Sequence, residues 1–347
     1  MDIESYTLQV LDVVEETADA RSITLAVPPE AADRFVHRPG QFLTVAVPSE
    51  RTGVVARCYS ISSAPVAGGP LTITVKRTTD GYASSWLCDH VRPGDTLRVL
   101  PPSGTFSPAS LDADLLLLAA GSGITPVISI VRAALAEGAG RVVLLYANRD
   151  EASVIFAAEL AALAAAHPDR LLVVHWLESV QGLPRREQVR AFAAPYLAWD
   201  AFVCGPAAFL EVAVAALRDL GFPRARRHQE RFLSLADNPF GEVPPPEDGP
   251  GPGRGGPARL EVELDGHEHA FDDWSPGTRM LDHLEAKGVP APHSCRQGQC
   301  AACAVRLVEG DVTMLANDVL SDADVAAGYR LGCQSVPLTD IVRVTYL

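Results

Sequence analysis

With 347 residues, 48% of them hydrophobic and 21% charged, the chain has the composition of a folded globular protein rather than a disordered one, and its length predicts more than one core. Its formal charge of −14 would repel nucleic acid and anionic membrane surfaces, so neither is expected as a partner. No stretch approaches the roughly 20 apolar residues of a membrane helix, and Met1 to Leu11 has neither the basic start nor the apolar run of a signal peptide, so a cytoplasmic location is expected.

The first hundred residues read as short strands: Leu8 to Val14, Ser22 to Val27, Gln41 to Val47, Cys58 to Ser62, Leu71 to Lys76 and Thr96 to Leu100. Turns such as Pro39-Gly40 and Pro93-Gly94 separate them, and that rhythm predicts an antiparallel β-barrel over residues 1–108. Arg57-Cys58-Tyr59-Ser60 opens one of these strands, and alternation puts Arg57 and Tyr59 on the same face. A cation and an aromatic could thus share one pocket, although such a pair is more often a solvated strand face.

From Leu111 the pattern changes. The apolar run Leu115 to Ala120 ends in Gly121-Ser122-Gly123-Ile124-Thr125-Pro126, and a helical stretch follows from Pro126 to Glu137. Small residues there admit a pyrophosphate close to helix-start N–H groups, with Thr125 as cap and Pro126 in the first turn. Further strands, Arg141 to Ala147, Leu171 to His175 and Ala201 to Cys204, alternate with Ala-rich helices near 156–166 and 207–219. The alternation predicts an α/β domain over 109–235, a parallel sheet covered on both sides. Cys204-Gly205-Pro206 ends one strand, and crossover topology gathers such strand ends at one crevice. A small buried residue is the plainer reading of Cys204.

Residues 236–257 read as a linker, since eleven of the fourteen residues 244–257 are Pro or Gly. A last domain is expected over 258–347, with an alternating strand at Leu260 to Leu264, a helix near Met280 to Glu285, and then cysteines. Of seven cysteines, Cys295, Cys300 and Cys303 stand as C-x4-C-x2-C with Cys333 downstream, the spacing of plant-type two-iron, two-sulfur clusters. Structural zinc sites usually pair two short spacings, and Cys333 has no near partner. Gly298 suits a loop that wraps a cluster closely.

The run Ser294 to Cys303, S-C-R-Q-G-Q-C-A-A-C, resembles the cluster loop of plant-type ferredoxins, which implies a β-grasp domain. The Gly121 and Cys204-Gly205-Pro206 turns resemble the nicotinamide-binding domain of the ferredoxin-NADP reductase superfamily, which implies that Gly121, Gly123, Thr125, Pro126, Gly205 and Pro206 hold the dinucleotide. Cys204 would then lie by the nicotinamide, and Asn148, Arg149, Asp150 and Ser153 where the adenosine ribose is read. Arg149 favours a 2′-phosphate and Asp150 repels one, so NADH is expected, with NADPH possible. Arg57-Cys58-Tyr59-Ser60 matches the superfamily's R-x-Y-S flavin motif, which implies Ser60 beside the reactive flavin nitrogen. Val75, Lys76, Arg77 and Gly81-Tyr82-Ala83-Ser84 resemble its second flavin segment and favour FAD. Phe232 is a candidate to cover the flavin, against the plainer reading of a packed aromatic.

The order of domains is that of reductases serving multicomponent oxygenases. Stretches such as Arg38 to Thr44, Val75 to Tyr82, Ala147 to Phe156 and Asn317 to Leu320 resemble the branch of that family serving steroid 9α-hydroxylation. The resemblance implies electron flow from NADH through FAD and a 2Fe-2S cluster to a terminal oxygenase of the Rieske type. The alternatives are the reductase of a phenylacetyl-CoA epoxidase or aromatic-ring oxygenase, and a non-enzymatic redox carrier or sensor.

Overall fold

The computed structural model describes residues 5–66, 68–232, 235, 238–240, 256–264 and 266–346. Most of the expected linker, 236–237 and 241–255, lies outside them.

The first unit contains β1 (Tyr6–Thr17), β2 (Ala20–Ala26), β3 (Phe42–Ser49), β4 (Gly53–Ser60), β5 (Leu71–Lys76), α1 (Tyr82–His90) and β6 (Thr96–Val99). Its strands run β4-β3-β6-β1-β2-β5, all antiparallel, and a bridge between Ile61 and Ile73 closes the ends into a barrel. Leu8, Ile23, Leu43, Val45 and Ile73 fill the interior, and α1 plugs it with Leu87. Strand β4 starts at Gly53, so Arg57 to Ser60 close a strand instead of opening one. The polar-looking Arg51-Thr52-Gly53 is the hairpin that feeds it.

The second unit contains β7 (Leu115–Ala120), α2 (Ile124–Glu137), β8 (Val142–Asn148), α3 (Ala157–Ala166), β9 (Leu171–Leu177), α4 (Glu178–Gln181), α5 (Arg186–Ala193), β10 (Asp200–Cys204), α6 (Ala207–Asp219) and β11 (Arg227–Glu230). The sheet is parallel, in the order β11-β10-β7-β8-β9. α2 and α3 cover one face, α5 and α6 the other. Strand β9 lies at an edge and is only half-buried, unlike the buried strand expected there. Strand β11, Arg-His-Gln-Glu, was not expected, because it carries no apolar residue to give a period.

The third unit contains β12 (Ala258–Leu264), β13 (His267–Trp274), α7 (Met280–Ala286), β14 (Ala304–Glu309), β15 (Val312–Met314), α8 (Asp322–Ala326), β16 (Tyr329–Leu331), β17 (Ser335–Pro337) and β18 (Ile341–Tyr346). Its main sheet, β13-β12-β18-β14-β16, is parallel only between β12 and β18, and α7 packs on it through Met280, Leu281 and Leu284. That is the β-grasp arrangement. No described helix is long and apolar enough to cross a membrane.

Candidate functional site: two nucleotide cavities and a cysteine loop

A cavity of about 720 Å³ opens between the barrel and the nucleotide unit, within the usual range for cofactor sites. The end of β4 supplies Arg57, Tyr59 and Ser60, β5 supplies Lys76, and the start of α1 supplies Gly81 and Ser84. Ser122, Thr125, Gly205 and Pro206 close it from the other unit. Ser84 Oγ receives the Thr78 N–H at 3.0 Å, which ties the turn before α1 to the helix start. Val75 does not reach this cavity, since its side chain is fully buried in the barrel core. Phe232 is 45% exposed and lines the cavity, which rules out the packed-aromatic reading.

Beneath the cavity lie groups that want partners. Ser60 Oγ and Glu230 Oε2 are buried with no hydrogen-bond partner among the described residues, yet the hydroxyl is close enough to ease the ionisation of the carboxyl. Burial pushes Glu230 up to about 8. Burial likewise holds the Cys204 thiol well above its ordinary range, and its side chain is fully buried in the core with Ile124 and Phe202, so Cys204 is a neutral core thiol that lines neither cavity, against the reactive position expected for it. Cys204 and Glu230 stand side by side in register at the carboxyl ends of β10 and β11. Glu230 escaped the sequence reading along with its strand.

The turn after β7 and the turn after β10 pack hard against each other. A Cβ on Gly123 would sit 2.1 Å from the Cys204 carbonyl oxygen, so only glycine lets the two turns meet. Gly123, and not Thr125, is the N-cap of α2; Thr125 lies in the first turn and returns its hydroxyl to Ser122 O at 3.0 Å. Pro126 also sits in that turn and is buried, away from both cavities.

A second cavity of about 480 Å³ continues over the sheet, lined by Gly121, Ser122, Asn148, Arg149 and Pro206 with Trp176 and Glu178 beyond. Both polar atoms of the buried Asn148 amide are without hydrogen-bond partners among the described residues. Arg149 is held by Asp19 of the barrel at 3.2 Å, and Asp19 also faces Lys76 at 3.8 Å. Asp150 and Ser153 do not line this cavity, because they form a reciprocal cap on the turn after β8. Asp19 gave no signal in sequence, being one acid in a β-hairpin.

The four cysteines of the third unit form two contacting pairs, Cys295 with Cys300 and Cys303 with Cys333. In each pair one thiol is lowered by the other, Cys295 to about 6, while its partner is raised. Backbone N–H groups of Cys295, Gln297, Gln299 and Cys333 point at sulfurs from 3.4 Å. Two thiol pairs with amide donors fit a binuclear cluster, two thiolates to each iron. Gly298, at φ +79° and with Ala316 O 2.8 Å from where a Cβ would be, makes the wrap possible.

This loop is seated on the barrel. Ser294 Oγ lies 2.5 Å from Thr44 Oγ1, which in turn is 3.5 Å from Cys58 Sγ, and Ser103 Oγ donates to His293 O at 2.9 Å. Cys295 packs with Ala46, Ala56 and Leu100. A gap of about 60 Å³ beside Cys300 shares Cys58, Ser60, Arg231 and Phe232 with the large cavity. Burial pushes the Cys58 thiol up to about 12, which keeps it protonated in this contact.

Comparison with known proteins agrees with this layout. Residues 7–107 match the oxidoreductase FAD-binding domain, 117–215 the oxidoreductase NAD-binding domain and 262–338 the 2Fe-2S iron-sulfur cluster binding domain. The ferredoxin reductase component of 3-ketosteroid-9-alpha-monooxygenase from Rhodococcus rhodochrous is 54% identical over 99% of this chain and 97% of its own. The chain belongs to the ferredoxin reductase family that joins these three domains. It is therefore an NAD(P)H-dependent flavin and iron-sulfur oxidoreductase. The same component from Mycolicibacterium smegmatis is 55% identical over 98% of this chain and 96% of its own. One component of the 1,2-phenylacetyl-CoA epoxidase of Escherichia coli is 33% identical over 98% of this chain and 97% of its own. Phthalate dioxygenase reductase has the same fold, with a TM-score of 0.59, 23% identity, and coverage of 99% of this chain and 98% of its own. A reductase component of this kind hands its electrons to a separate oxygenase.

Proposed function

We propose that this protein is the NADH-oxidising reductase of a 3-ketosteroid 9α-hydroxylase, working in the cytoplasm with a Rieske-type oxygenase. The observation that carries the route is the sharing of Cys58, Ser60 and Phe232 between the large cavity and the gap beside Cys300, which leaves little but those side chains between flavin site and cluster loop. Identity above 50% along the whole chain to reductases of that hydroxylase supports the partner.

In this reading Arg57, Lys76, Gly81 and Ser84 hold the FAD pyrophosphate, and Tyr59 and Phe232 flank the ring. Gly121, Gly123, Thr125, Gly205 and Pro206 form the nicotinamide end of the dinucleotide site, with Asn148 and Arg149 at the adenosine end. Cys295, Cys300, Cys303 and Cys333 ligate the cluster. When bound, the flavin accepts hydride and releases electrons singly, the conversion a one-electron cluster requires. The chain's share is positional. The close packing of Gly123 on the Cys204 backbone sets how near the two turns approach, and so the depth of the nicotinamide. Ser60 presents a hydroxyl to the flavin edge, and Glu230, near neutrality in its ionisation, can hold a proton behind it. NADH is preferred because Asp19 already occupies Arg149, the cation a 2′-phosphate would need.

Anaerobic titration of the purified holoprotein with NADH and with NADPH, followed by mixing with the oxygenase component and a 3-ketosteroid, tests the proposal. Stoichiometric bleaching by NADH and 9α-hydroxylated product are expected. Bleaching without product from any 3-ketosteroid would remove the steroid partner, and no bleaching would remove the reading altogether.

A further inference from the structure

The ferredoxin unit meets the rest of the molecule at a second place, and there the contact is ionic. Asp324, in the first turn of α8, has a side chain only 4% exposed. Its Oδ2 accepts from Ser321 N at 3.0 Å and Ser321 Oγ at 2.7 Å, which closes the helix cap. Its Oδ1 has no hydrogen-bond partner among the described residues but forms an ion pair with the guanidinium of Arg224, which belongs to the turn before β11 in the nucleotide unit. That guanidinium also lies over the ring of Tyr329, 5.3 Å from its centroid, and donates to Arg227 O at 2.8 Å. One arginine of the nucleotide unit is thus gripped by a carboxylate and an aromatic ring of the ferredoxin unit.

The place of Arg224 in the chain gives this contact its meaning. Strand β11 begins three residues later and ends at Glu230, and Glu230, Arg231 and Phe232 line the gap beside Cys300. Ionic contact and electron gap are therefore the two ends of one short, sheet-bonded strand. Among the described residues, the side-chain hydrogen bonds Ser294–Thr44 and Ser103–His293 and an apolar patch fix the cluster loop to the barrel. A body held at one such patch can pivot; a second anchor elsewhere on it removes the pivot. Burying a carboxylate needs a partner charge, so leaving Asp324 docked without Arg224 is strongly unfavourable.

We infer that Arg224 is a positioning residue for internal electron transfer: its pair with Asp324 keeps the cluster loop seated against the flavin-site strand. The inference rests on the flavin-to-cluster route proposed above. Arg224 touches neither cavity of the nucleotide site, so its loss should leave hydride transfer alone.

The test uses the full-length holoprotein in anaerobic stopped-flow against NADH, with Arg224→Glu and Arg224→Lys beside wild type. If the docked fraction falls to about a tenth, cluster reduction in Arg224→Glu slows about tenfold, while flavin bleaching and ferricyanide reduction stay within about twofold. Arg224→Lys, which keeps the charge, should recover most of the rate, and small-angle scattering should give a larger radius of gyration for Arg224→Glu alone. Should Arg224→Glu not fold, Arg224→Gln is read the same way. Unchanged cluster reduction, a slow phase with unchanged scattering, or no recovery in Arg224→Lys each overturn the inference. Wild type that fails to bleach with NADH, or lacks a cluster, instead overturns the route beneath it.

Discussion

Between barrel and nucleotide unit the chain leaves about 720 Å³ and buried polar atoms without partners among the described residues, whereas between barrel and ferredoxin unit it leaves about 60 Å³ and fills the contact with Ala46, Ala56, Leu100 and Cys295. The first interface is built for a guest and the second for a neighbour. A nucleotide that is bound without covalent attachment needs volume and unsatisfied donors, because its own polar groups must replace water. A ligated cluster needs thiolates and amide N–H groups, such as one loop and the distant Cys333 offer here, and then only a close surface. The same barrel offers both, on different faces of the same strands.

The sharpest way to break this contrast is at the loop. Cys300→Ser should abolish the visible and electron-paramagnetic signals of the cluster and the reduction of a one-electron protein acceptor, while NADH-driven ferricyanide reduction persists. Loss of both activities together would mean that the two interfaces are not separable. At the nucleotide side, Gly123→Ala places a methyl 2.1 Å from Cys204 O and must push the two turns apart. Misplacement on that scale should lower kcat/KM for NADH about a hundredfold with the cluster spectrum intact; a near-normal value would show that the turns need not touch.

Glu230 offers a finer probe. Its carboxyl is raised from 4.5 to about 8 on folding, so the folded protein holds a proton that the unfolded chain has released. Stability therefore falls as pH rises through that interval and is unaffected below it. Glu230→Gln should remove the fall, so that the variant melts a few degrees above wild type at about pH 9 and level with it at about pH 4. Parallel melting curves would place the carboxyl in contact with water or a cation. Least of all, Asp19→Asn should release Arg149 and raise the NADPH preference, relative to NADH, about threefold, since the pair is partly exposed. Steady-state kinetics with both nucleotides would measure it, and an unmoved ratio would take Asp19 out of the selectivity.

What was legible in the sequence was local. The C-x4-C-x2-C run, the Gly121 to Pro126 turn and the Arg57 to Ser60 motif each lie within a few residues; Arg57 to Ser60 with Gly121, Ser122 and Thr125 line the two cavities, and Cys300 lines the gap beside them. Val75 and Pro126 were carried along by their neighbours; Val75 points into the barrel core and Pro126 is buried in the first turn of α2. Strand β11 escaped because a short polar strand at a sheet edge has no hydrophobic period, and Glu230 went with it. Thr44 and Ser294 are 250 residues apart, and Arg224 meets Asp324 only through the packing of two units, so neither contact has a sequence signature.

Strand β3 is buried from Phe42 to Val47 and β4 beside it is mostly half-buried, and the barrel wall here is a single layer of residues. Val54, Ala56 and Cys58 face the ferredoxin unit, while Val55 and Tyr59 pack with the barrel core. Because successive side chains alternate, a slip of one position in this hairpin would exchange the two sets at a stroke, driving Arg57 and Tyr59 against the cysteine loop and withdrawing them from the large cavity. The hairpin can accept changes of residue but not of length, and an insertion or deletion between Phe42 and Ser60 should be tolerated only in the turn at 50–52.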